Sequence, residues 1–390
     1  MGDAPTIETN SFKQVVAICY YPKGNTTYTA EITTNDFGGD LKWTYEGEEE
    51  DSESRKCGEN ITWTLSEDGM LTLSGSGAMY NYSKDELKYA PWYENRNSVT
   101  SLQIADGITH IGDYAFYGCG LTVIDSLPDS ITTIGAYAFA SCRKLKSINH
   151  MPDNLTTIGK YVFYYCSSLT SVENLPDSIT EIGEYAFSEC GLTRIKLPVN
   201  LGEITNGMLY DCKYLKQVVF PKKLKTIGEY AFSMCLGLNS VEIPEGVTSI
   251  GEGAFASCGN YASWGAYYPS SSFTSVKLPS TLQSLGNNVF RWCTSLQTIN
   301  IPGKTVEVGN GAFSYCYNLS NVTFEWSAPK LASDIFDICK NTTITCYYPG
   351  NNPEWIADKL QKYGAYKVNW IAKEMTKPAE GGGSGGSGGG

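Results

Sequence analysis

Residues 179–198 read ITEIGEYAFSECGLTRIKLP, and this stretch decides the fold because its pattern returns through most of the chain. It contains two aliphatic residues three positions apart, a glycine, an aromatic-Ala-Phe triplet, a cysteine, a leucine, an aliphatic residue and Leu-Pro. Equivalent stretches include ITTIGAYAFASC at 131–142 and VTSIGEGAFASC at 247–258. A pattern that returns at a fixed interval of ~20–30 residues indicates a repeat array in which each copy is one structural unit.

The length of the repeat can be counted from its cysteines. Ten of the 13 cysteines hold the same position in successive copies, at intervals of 22–24 residues except for one interval of 35. These ten residues are Cys119, Cys142, Cys166, Cys190, Cys212, Cys235, Cys258, Cys293, Cys316 and Cys339. The sequence therefore predicts about ten stacked rungs, with an insertion of about twelve residues after Cys258.

The rung cysteines are predicted to form a ladder of buried thiols. Adjacent strands lie about 4.8 Å apart, whereas the Cβ atoms of a disulfide are usually ~3.5–4.5 Å apart. Thiols are small and apolar enough to be buried, and the sequence lacks the CxxC pairs of a structural zinc site. Cys19, Cys57 and Cys346 lie outside the ladder. Pairing of Cys339 with Cys346, or of Cys19 with Cys57, stays open.

Composition limits the class of protein. The 390 residues include 42% hydrophobic ones, enough for a large buried core, and the formal net charge is −12. Such an acidic chain lacks the basic footprint that binding to DNA or RNA requires. No apolar run approaches the roughly 18–20 residues of a membrane-spanning helix. We therefore expect neither a nucleic-acid partner nor a transmembrane segment.

The repeats follow a distinctive leader. CGENITWTLSEDGMLTLSGSGAMYNY at 57–82 precedes Pro91-Trp92-Tyr93 and then units such as ITTIGAYAFASCRKLKSI at 131–148. Over roughly residues 57–350 this organisation resembles the BspA-like leucine-rich repeat family, whose units read IGxxAFxxCxxLxxIxLP. The resemblance implies a secreted or surface-attached protein of gut or oral bacteria, or of mucosal parasites, that takes part in adhesion and host interaction. It implies no catalytic residues.

The predicted fold is an α/β repeat solenoid, a leucine-rich-repeat-like, right-handed array of about ten rungs of 22–24 residues with parallel strands. In each rung the CxxLxxIxLP segment supplies a strand, the next aliphatic pair forms a second wall, and the Ala-Phe bend is a short helical or 3₁₀ turn. The repeated glycines suit a positive φ or a close backbone approach. The repeated phenylalanines are expected to stack as an internal column. They are Phe116, Phe139, Phe163, Phe187, Phe232, Phe255, Phe290 and Phe313.

Both ends of the array are predicted to carry caps, because an open apolar end would face water. ITWTL and MLTLSG alternate around the turn Ser66–Gly69, which predicts an N-terminal β-hairpin. At the other end Asn352-Pro353 is typical of a helix start, and Ile356, Leu360 and Tyr363 would share one helix face before a last strand, YKVNWIA.

The remaining segments complete a predicted domain organisation. QVVAICYY, TTYTAEITT and DLKWTYEG indicate three strands in a small N-terminal unit. Glycine and serine alone form the terminal GGGSGGSGGG, which is typical of an engineered linker. The predicted segments are 1–12, disordered or added for expression; 13–47, a small β unit; 48–56, an acidic linker; 57–98, a hairpin cap; 99–350, the solenoid; 351–372, a helix-strand cap; and 373–390, a tail with the engineered linker.

The sequence gives little support to catalysis. His110 and His150 are the two histidines, and neither lies in an HExxH, GxSxG or Cys-His setting. Both are expected to be solvated surface residues. The paired carboxylates of a glycosidase cannot be recognised from sequence, because their separation is a property of the folded chain. We expect no enzymatic activity, no metal and no cofactor.

Two features are candidate binding sites. The insertion at 259–272, GNYASWGAYYPSSS, places four aromatic residues beside serine and glycine, a composition typical of paratopes and sugar-stacking platforms. These four are Tyr261, Trp264, Tyr267 and Tyr268. The second feature is a local reversal of charge that could contact an acidic glycan or protein. Its members are Arg194, Lys196, Lys213, Lys216, Lys222, Lys223 and Lys225.

These observations favour a non-enzymatic, adhesin-like binding protein, secreted or at the cell surface and monomeric. Its partner would be a protein or glycan on a host or neighbouring cell, contacted through the solenoid surface. Two alternatives stay open. One is a carbohydrate-recognition module of a larger surface protein, which an aromatic platform in the insertion would favour. The other is a structural spacer of the cell surface, favoured if the insertion packs on the array.

Overall fold

The computed structural model describes residues 6–7, 16–22, 27–29, 32, 37, 39–46, 55–85, 88–172, 174–258, 273–339, 343–365 and 367–378. The chain divides into two compact units, Met1–Lys56 and Cys57–Gly390. In the first unit, β1 (Val16–Pro22) and β2 (Asp40–Glu46) pair in parallel. The predicted middle strand is wrong at its described residues, since 27–29 form no strand and Ile32 is helical. Parallel strands need a crossover between them, and this segment belongs to that crossover.

The second unit is a stack of short strands with long-range pairing. Its strands are β3 (Lys56–Leu65), β4 (Met70–Met79), β5 (Ser101–Ile104), β6 (Gly107–Ile111), β7 (Val123–Ile124), β8 (Thr133–Ile134), β9 (Ser147–Ile148), β10 (Thr157–Ile158), β11 (Ser171–Val172), β12 (Glu181–Ile182), β13 (Arg194–Lys196), β14 (Glu203–Ile204), β15 (Gln217–Val219), β16 (Thr226–Ile227), β17 (Ser240–Glu242), β18 (Ser249–Ile250), β19 (Ser275–Lys277), β20 (Ser284–Leu285), β21 (Thr298–Ile301), β22 (Glu307–Val308), β23 (Asn321–Phe324), β24 (Lys330–Leu331), β25 (Thr343–Pro349) and β26 (Lys367–Lys373).

The strands form two walls of a parallel solenoid. From β7 onward the odd-numbered strands, joined by β26, make the first wall, and the even-numbered strands from β6 to β24 make the second. Each wall is made of successive sheets, and within a sheet a strand pairs with its equivalent one repeat later, as Thr157 and Ile158 pair with Glu181 and Ile182. One aliphatic residue of each short strand points inward, so both walls bury their apolar face against the other. We name each rung by its cysteine.

The bends between the walls are turns, and the predicted α/β composition is corrected accordingly. Within the described residues α-helix occurs only at Ile32, and 3₁₀ structure only at Tyr93–Ser98 and Ala357–Lys359. In the Cys142 rung, the Ala140 N–H donates to the Tyr137 carbonyl at 3.1 Å, as in a helical turn. However, Tyr137 and Ser141 have φ values of +56° and +61°. A left-handed residue at both ends of the turn stops a right-handed helix from propagating.

The predicted phenylalanine column is confirmed. Consecutive rings stack with centroids 5.0–5.9 Å apart and lie fully out of solvent. Trp92 extends the column at its start and Phe336 at its end. One position differs, because Leu209 replaces phenylalanine between Phe187 and Phe232.

The repeat glycines before the bends allow the backbones of neighbouring rungs to approach closely. Gly159 has no left-handed backbone, but a Cβ at this position would lie 2.8 Å from the Ala136 amide nitrogen of the preceding rung. That contact is shorter than real Cβ atoms make. The left-handed conformation falls two residues later, on a tyrosine, asparagine or second glycine.

The predicted ladder of buried thiols is observed, and nine of its ten thiols donate a hydrogen bond to a backbone carbonyl. From Cys142 to Cys339, the Sγ of each rung donates to the backbone carbonyl of the column residue one rung earlier, at 3.1–3.2 Å. All 13 cysteines are free. Burial raises the pKa of the Cys142 and Cys212 thiols to about 12. The thiols therefore stay protonated in the folded chain at neutral pH.

The two ends differ in how well the sequence predicted them. The N-terminal hairpin is confirmed, since β3 and β4 pair antiparallel, and β4 continues the sheet by pairing in parallel with β5 and β6. The C-terminal helix is wrong. The buried Trp355 indole and the Asn352 amide both donate to the Trp326 carbonyl, and the chain is extended at Ile356. This docking holds the segment in an irregular path, with β26 following as the predicted last strand.

Candidate binding surface

The four aromatic residues of the insertion, Tyr261, Trp264, Tyr267 and Tyr268, lie outside the described residues. The seven basic residues are all described, and the structure separates them. Arg194 and Lys196 occupy alternate, exposed positions of β13 on the first wall. Lys225 immediately precedes β16 on the second wall, so the cluster spans more than one side of the solenoid.

The remaining members lie in the connections between the walls. Lys222 and Lys223 occupy the turn that follows β15, where the Lys223 ammonium donates to the Asn200 side chain at 2.7 Å. Lys213 lies 3.4 Å from the Asp211 carboxylate, so its charge is already paired. Lys216 is exposed directly before β15.

Arg194 and Lys196 line an open groove of about 330 Å³ on the first wall. Its other lining residues are Thr170, Ser171, Val172, Asn174 and Thr193. The groove lies at a gap in the first wall, where β11 and β13 do not pair. A similar gap occurs nearby in the second wall, where β12 and β14 do not pair. Two cations beside hydroxyl groups could hold a small anionic group here.

The bend side of the solenoid carries a feature that the sequence reasoning missed. Tyr114, Tyr137, Tyr161 and Tyr185 occupy equivalent bend positions in four successive rungs, with φ values of +55° to +57°. Their rings stack in a continuous series, the tyrosine stack, with centroids 4.7, 4.7 and 5.0 Å apart and planes within 10°. Each ring is partly exposed.

The left-handed conformation at this position has a structural cause. It directs the amide N–H to the carbonyl of the next rung, as from Tyr137 to Lys160 at 2.9 Å. The same bond forms where the position holds Gly253, which bonds to Asn287 at 2.8 Å, or Asn288, which bonds to Asn310 at 2.7 Å. The backbone therefore has a positive φ here in the nine rungs from Cys119 to Cys316, but it does not require tyrosine.

Further tyrosines widen this surface. They lie at outward bend positions of the same part of the solenoid and are partly exposed. Together with the tyrosine stack they form the tyrosine face: Tyr114, Tyr117, Tyr137, Tyr161, Tyr164, Tyr165, Tyr185, Tyr210 and Tyr230. The signal for it was present in the sequence, since tyrosine recurs two residues after the repeat glycine in the N-terminal rungs and gives way to Gly253, Asn288 and Gly311 later.

Carboxylates border the tyrosine face. A hydrogen bond from the Tyr230 hydroxyl to Glu252 at 2.8 Å, together with burial and the charge of Glu229, raises the pKa of Tyr230 to about 12. Burial and then the nearby charge of Glu189 raise the pKa of Tyr164 to about 12. Burial is the first cause for Tyr114 as well, followed by the charges of Asp85 and neighbouring groups. The hydroxyl groups thus lie in a field that disfavours further negative charge.

Each of the two histidines contacts polar side chains of a neighbouring rung or segment. His150 is partly exposed, and its Nε2 lies 3.1 Å from Asp129. Asp129 also accepts the Asp153 amide N–H at 2.8 Å, which accounts for the close approach of these three side chains. His110 is half-buried between Thr133 and Asn81, and burial lowers its pKa.

Comparison with known proteins agrees with this architecture. Six copies of the BspA type leucine rich repeat region match residues 90–174, 150–262 and 263–352, which together make up more than half of the chain. The chain belongs to the BspA-type leucine-rich repeat family. A search of the curated proteins finds no significant match. Within the described residues, no helix has the length and apolar character needed to span a bilayer.

Solved structures resemble this BspA-type protein in fold. A leucine-rich repeat protein from Bacteroides ovatus is 22% identical, with a TM-score of 0.59 over 81% of this chain and 77% of that one. One from Eubacterium ventriosum is also 22% identical, with a TM-score of 0.50 over 82% of this chain and 84% of that one. At this identity the likeness concerns the fold.

Proposed function

We propose that this BspA-type protein is a non-enzymatic binding protein that recognises a partner protein through its tyrosine face. The observation that carries the proposal is the placement of tyrosine at left-handed bend positions in four successive rungs. A left-handed conformation costs a residue with a Cβ about 1–2 kcal/mol.

Stacking does not by itself account for the tyrosines. An aromatic pair contributes about 0.5–1.5 kcal/mol beyond its buried area, and four rings make three pairs. For most values in these ranges, the stacking energy of three pairs is smaller than the backbone cost of four left-handed residues. Rungs with Gly253, Asn288 or Gly311 form the same bend without a ring. The tyrosines therefore need a reason beyond the bend.

The chemistry of the face suits protein recognition. Tyrosine offers a large contact area with few rotatable bonds and a hydroxyl group at its tip, and it is enriched at interfaces. Within the tyrosine stack each ring covers its neighbour, so ring edges and hydroxyl groups face outward. Sugar rings bind to free aromatic faces, which favours a protein partner over a glycan.

Location, assembly and capping belong to the same proposal. Family membership supports a secreted or surface-attached protein, and the long array offers one chain a large binding surface as a monomer. The β3–β4 hairpin lies at the start of the sheet and β26 pairs with β25 at its end, which supports roles as caps. We also propose a right-handed array.

The proposal is tested by binding to arrays of matrix and mucosal proteins and of glycans. The parent is compared with Tyr137→Gly/Tyr161→Gly, which removes two rings of the stack and keeps the left-handed bend. Asn288→Gly is the matched control, because it removes an outward side chain from the equivalent position of the Cys293 rung. We expect binding to at least one protein that falls about tenfold or more in the double variant and is unchanged in the control.

Other patterns would contradict the proposal. Protein binding that is unchanged in the double variant would rule out the tyrosine face, and the absence of any binding would favour a structural spacer. Glycan binding that is lost only in Trp264→Ala/Tyr267→Ala/Tyr268→Ala would favour the carbohydrate-recognition module instead.

A further inference from the structure

Carboxylates are the main charged groups around the tyrosine face. Asp85 and Asp113 lie near the start of the tyrosine stack, and Glu184 lies near Tyr161. Glu189 contacts Tyr164, and the Tyr230 hydroxyl donates to Glu252. These carboxylates lie on the exposed side of the bends, where a partner would have to neutralise or match them.

The cations of the same surface are fewer and mostly engaged. Lys84 lies over the Tyr117 ring, with its ammonium 6.0 Å from the ring centroid, and the Arg143 guanidinium lies 4.3 Å from the centroid of Tyr165. Lys213 pairs with Asp211. Lys144 and Lys160 are exposed bend residues. The carboxylates therefore outnumber the cations among the described bend residues.

These contacts also show that tyrosine rings of this face bind cations. At the rim of the stack, tyrosine faces that are not covered by another tyrosine hold the protein's own Lys84 and Arg143. Cations bind aromatic faces through the ring quadrupole, and carboxylates nearby strengthen the attraction. The exposed Arg194 and Lys196 lie on β13 of the first wall and are not part of the tyrosine face.

From this arrangement we infer that the partner segment recognised by the tyrosine face is a polypeptide rich in lysine and arginine. Its ammonium and guanidinium groups would pair with the carboxylates and donate to the phenol oxygens at the outward ring edges. The inference rests on the proposed function, since it names the chemistry of the partner for the same surface.

The test uses three fluorescent peptides of 20 residues, one rich in lysine and arginine, one neutral and one rich in glutamate. Their binding to the full chain is measured by anisotropy at physiological salt. Glu184→Gln/Glu189→Gln removes two charges of the face but keeps hydrogen-bonding side chains. The control is Glu67→Gln/Glu307→Gln, which changes net charge equally at exposed positions away from the bends.

We expect the basic peptide alone to bind. Its affinity should fall about threefold to tenfold in Glu184→Gln/Glu189→Gln and about tenfold or more in Tyr137→Gly/Tyr161→Gly, with no change in the control variant. Equal losses in both charge variants would show general attraction to an acidic chain, and the inference would fail. It would fail equally if the neutral or acidic peptide bound as well.

The two proposals can fail separately. If tyrosine-dependent binding to an array protein is found but the basic peptide does not bind, the inference about the partner is wrong and the proposed function stands. If neither binding depends on the tyrosines, both are wrong.

Discussion

The N-terminal and C-terminal rungs adopt the same left-handed backbone conformation in their bends but place different residues there. At the left-handed bend position, the rungs from Cys119 to Cys190 use tyrosine, whereas those of Cys258, Cys293 and Cys316 use Gly253, Asn288 and Gly311. Glycine and asparagine are the residues that tolerate this conformation best. At this position the C-terminal rungs thus carry the residues that the backbone conformation favours, although Trp292 and Tyr315 stack at the second left-handed position of their bends. The N-terminal rungs depart from this choice at the first position, and the departure marks a surface that serves another purpose.

The interior does not share this difference. Both halves contain the stacked phenylalanine column and the thiols that donate to the column carbonyls. The only change of column residue from Phe116 to Phe336 is Leu209, in the Cys212 rung, where both walls are also interrupted. If this comparison is right, core variants should lower the free energy of unfolding by similar amounts in the two halves. Bend variants should have different effects in the two halves.

The largest effect is expected from alkaline pH. Burial raises the pKa of the rung thiols, to about 12 for Cys142 and Cys212, so the folded chain keeps protons that the unfolded chain loses. The stabilisation is complete below the unfolded-state pKa of about 8.5 and is lost as pH rises toward 12. Within that window the free energy of unfolding falls by about 1 kcal/mol per pH unit for each of Cys142 and Cys212. Denaturant unfolding at pH 7, 9 and 10.5 should show a steep loss.

Thiol accessibility provides the control for that experiment. At pH 8 a thiol-reactive reagent should label the rung cysteines no faster than the chain unfolds. Rapid labelling of Cys142 or Cys166 in the folded protein would contradict the buried ladder.

Column variants should be next in size. Phe163→Ala in an N-terminal rung and Phe290→Ala in a C-terminal rung each remove a buried ring stacked on both sides. We expect each to lower the free energy of unfolding by about 3–5 kcal/mol. Urea unfolding of both variants would measure it. A difference of more than about 2 kcal/mol between them would break the claim that the core is uniform.

Glycine variants should have a smaller effect. Gly159→Ala and Gly286→Ala bring a Cβ to 2.8 and 2.6 Å from a backbone nitrogen of the preceding rung, and we expect a loss of about 1–3 kcal/mol in both halves. Gly202→Ala is the matched control, because nothing lies within 4 Å of its Cβ. Thermal unfolding should leave this control unchanged or slightly stabilised. A control as unstable as the other two would exclude close approach as the cause.

The smallest effect is expected from grafting a tyrosine onto the C-terminal bends. Asn288→Tyr would place a ring over Gly311, much as the Tyr185 ring lies over Gly207. Asparagine already has this left-handed backbone, so the change should alter the free energy of unfolding by less than about 1 kcal/mol. Denaturant unfolding against the parent tests this. A large loss would show that the C-terminal rungs cannot accommodate rings, and that their lack of tyrosine is structural.

Sequence reasoning reached the periodic features and missed those that depend on φ or on neighbouring rungs. The rung count, the column through Phe163 and the thiol ladder follow from spacing alone. The bends were predicted to be helical because Ala-Phe resembles a helical turn, and spacing does not report the positive φ of Tyr137. At the C-terminus, Ile356 and Leu360 match a helical face, but Trp355 docks on the Trp326 carbonyl instead. The tyrosine face was overlooked because its residues were treated as part of the repeat.

The unfolding free energy of Tyr137→Gly/Tyr161→Gly tests most directly whether the N-terminal tyrosines serve binding and not folding. Glycine relieves two left-handed residues but gives up stacked pairs and adds chain entropy to the unfolded state, so these effects nearly cancel. The account predicts a change of less than about 2 kcal/mol, with the column and the thiol ladder intact. A loss of about 4 kcal/mol or more would contradict it, because the tyrosines would then be part of what holds the rungs together.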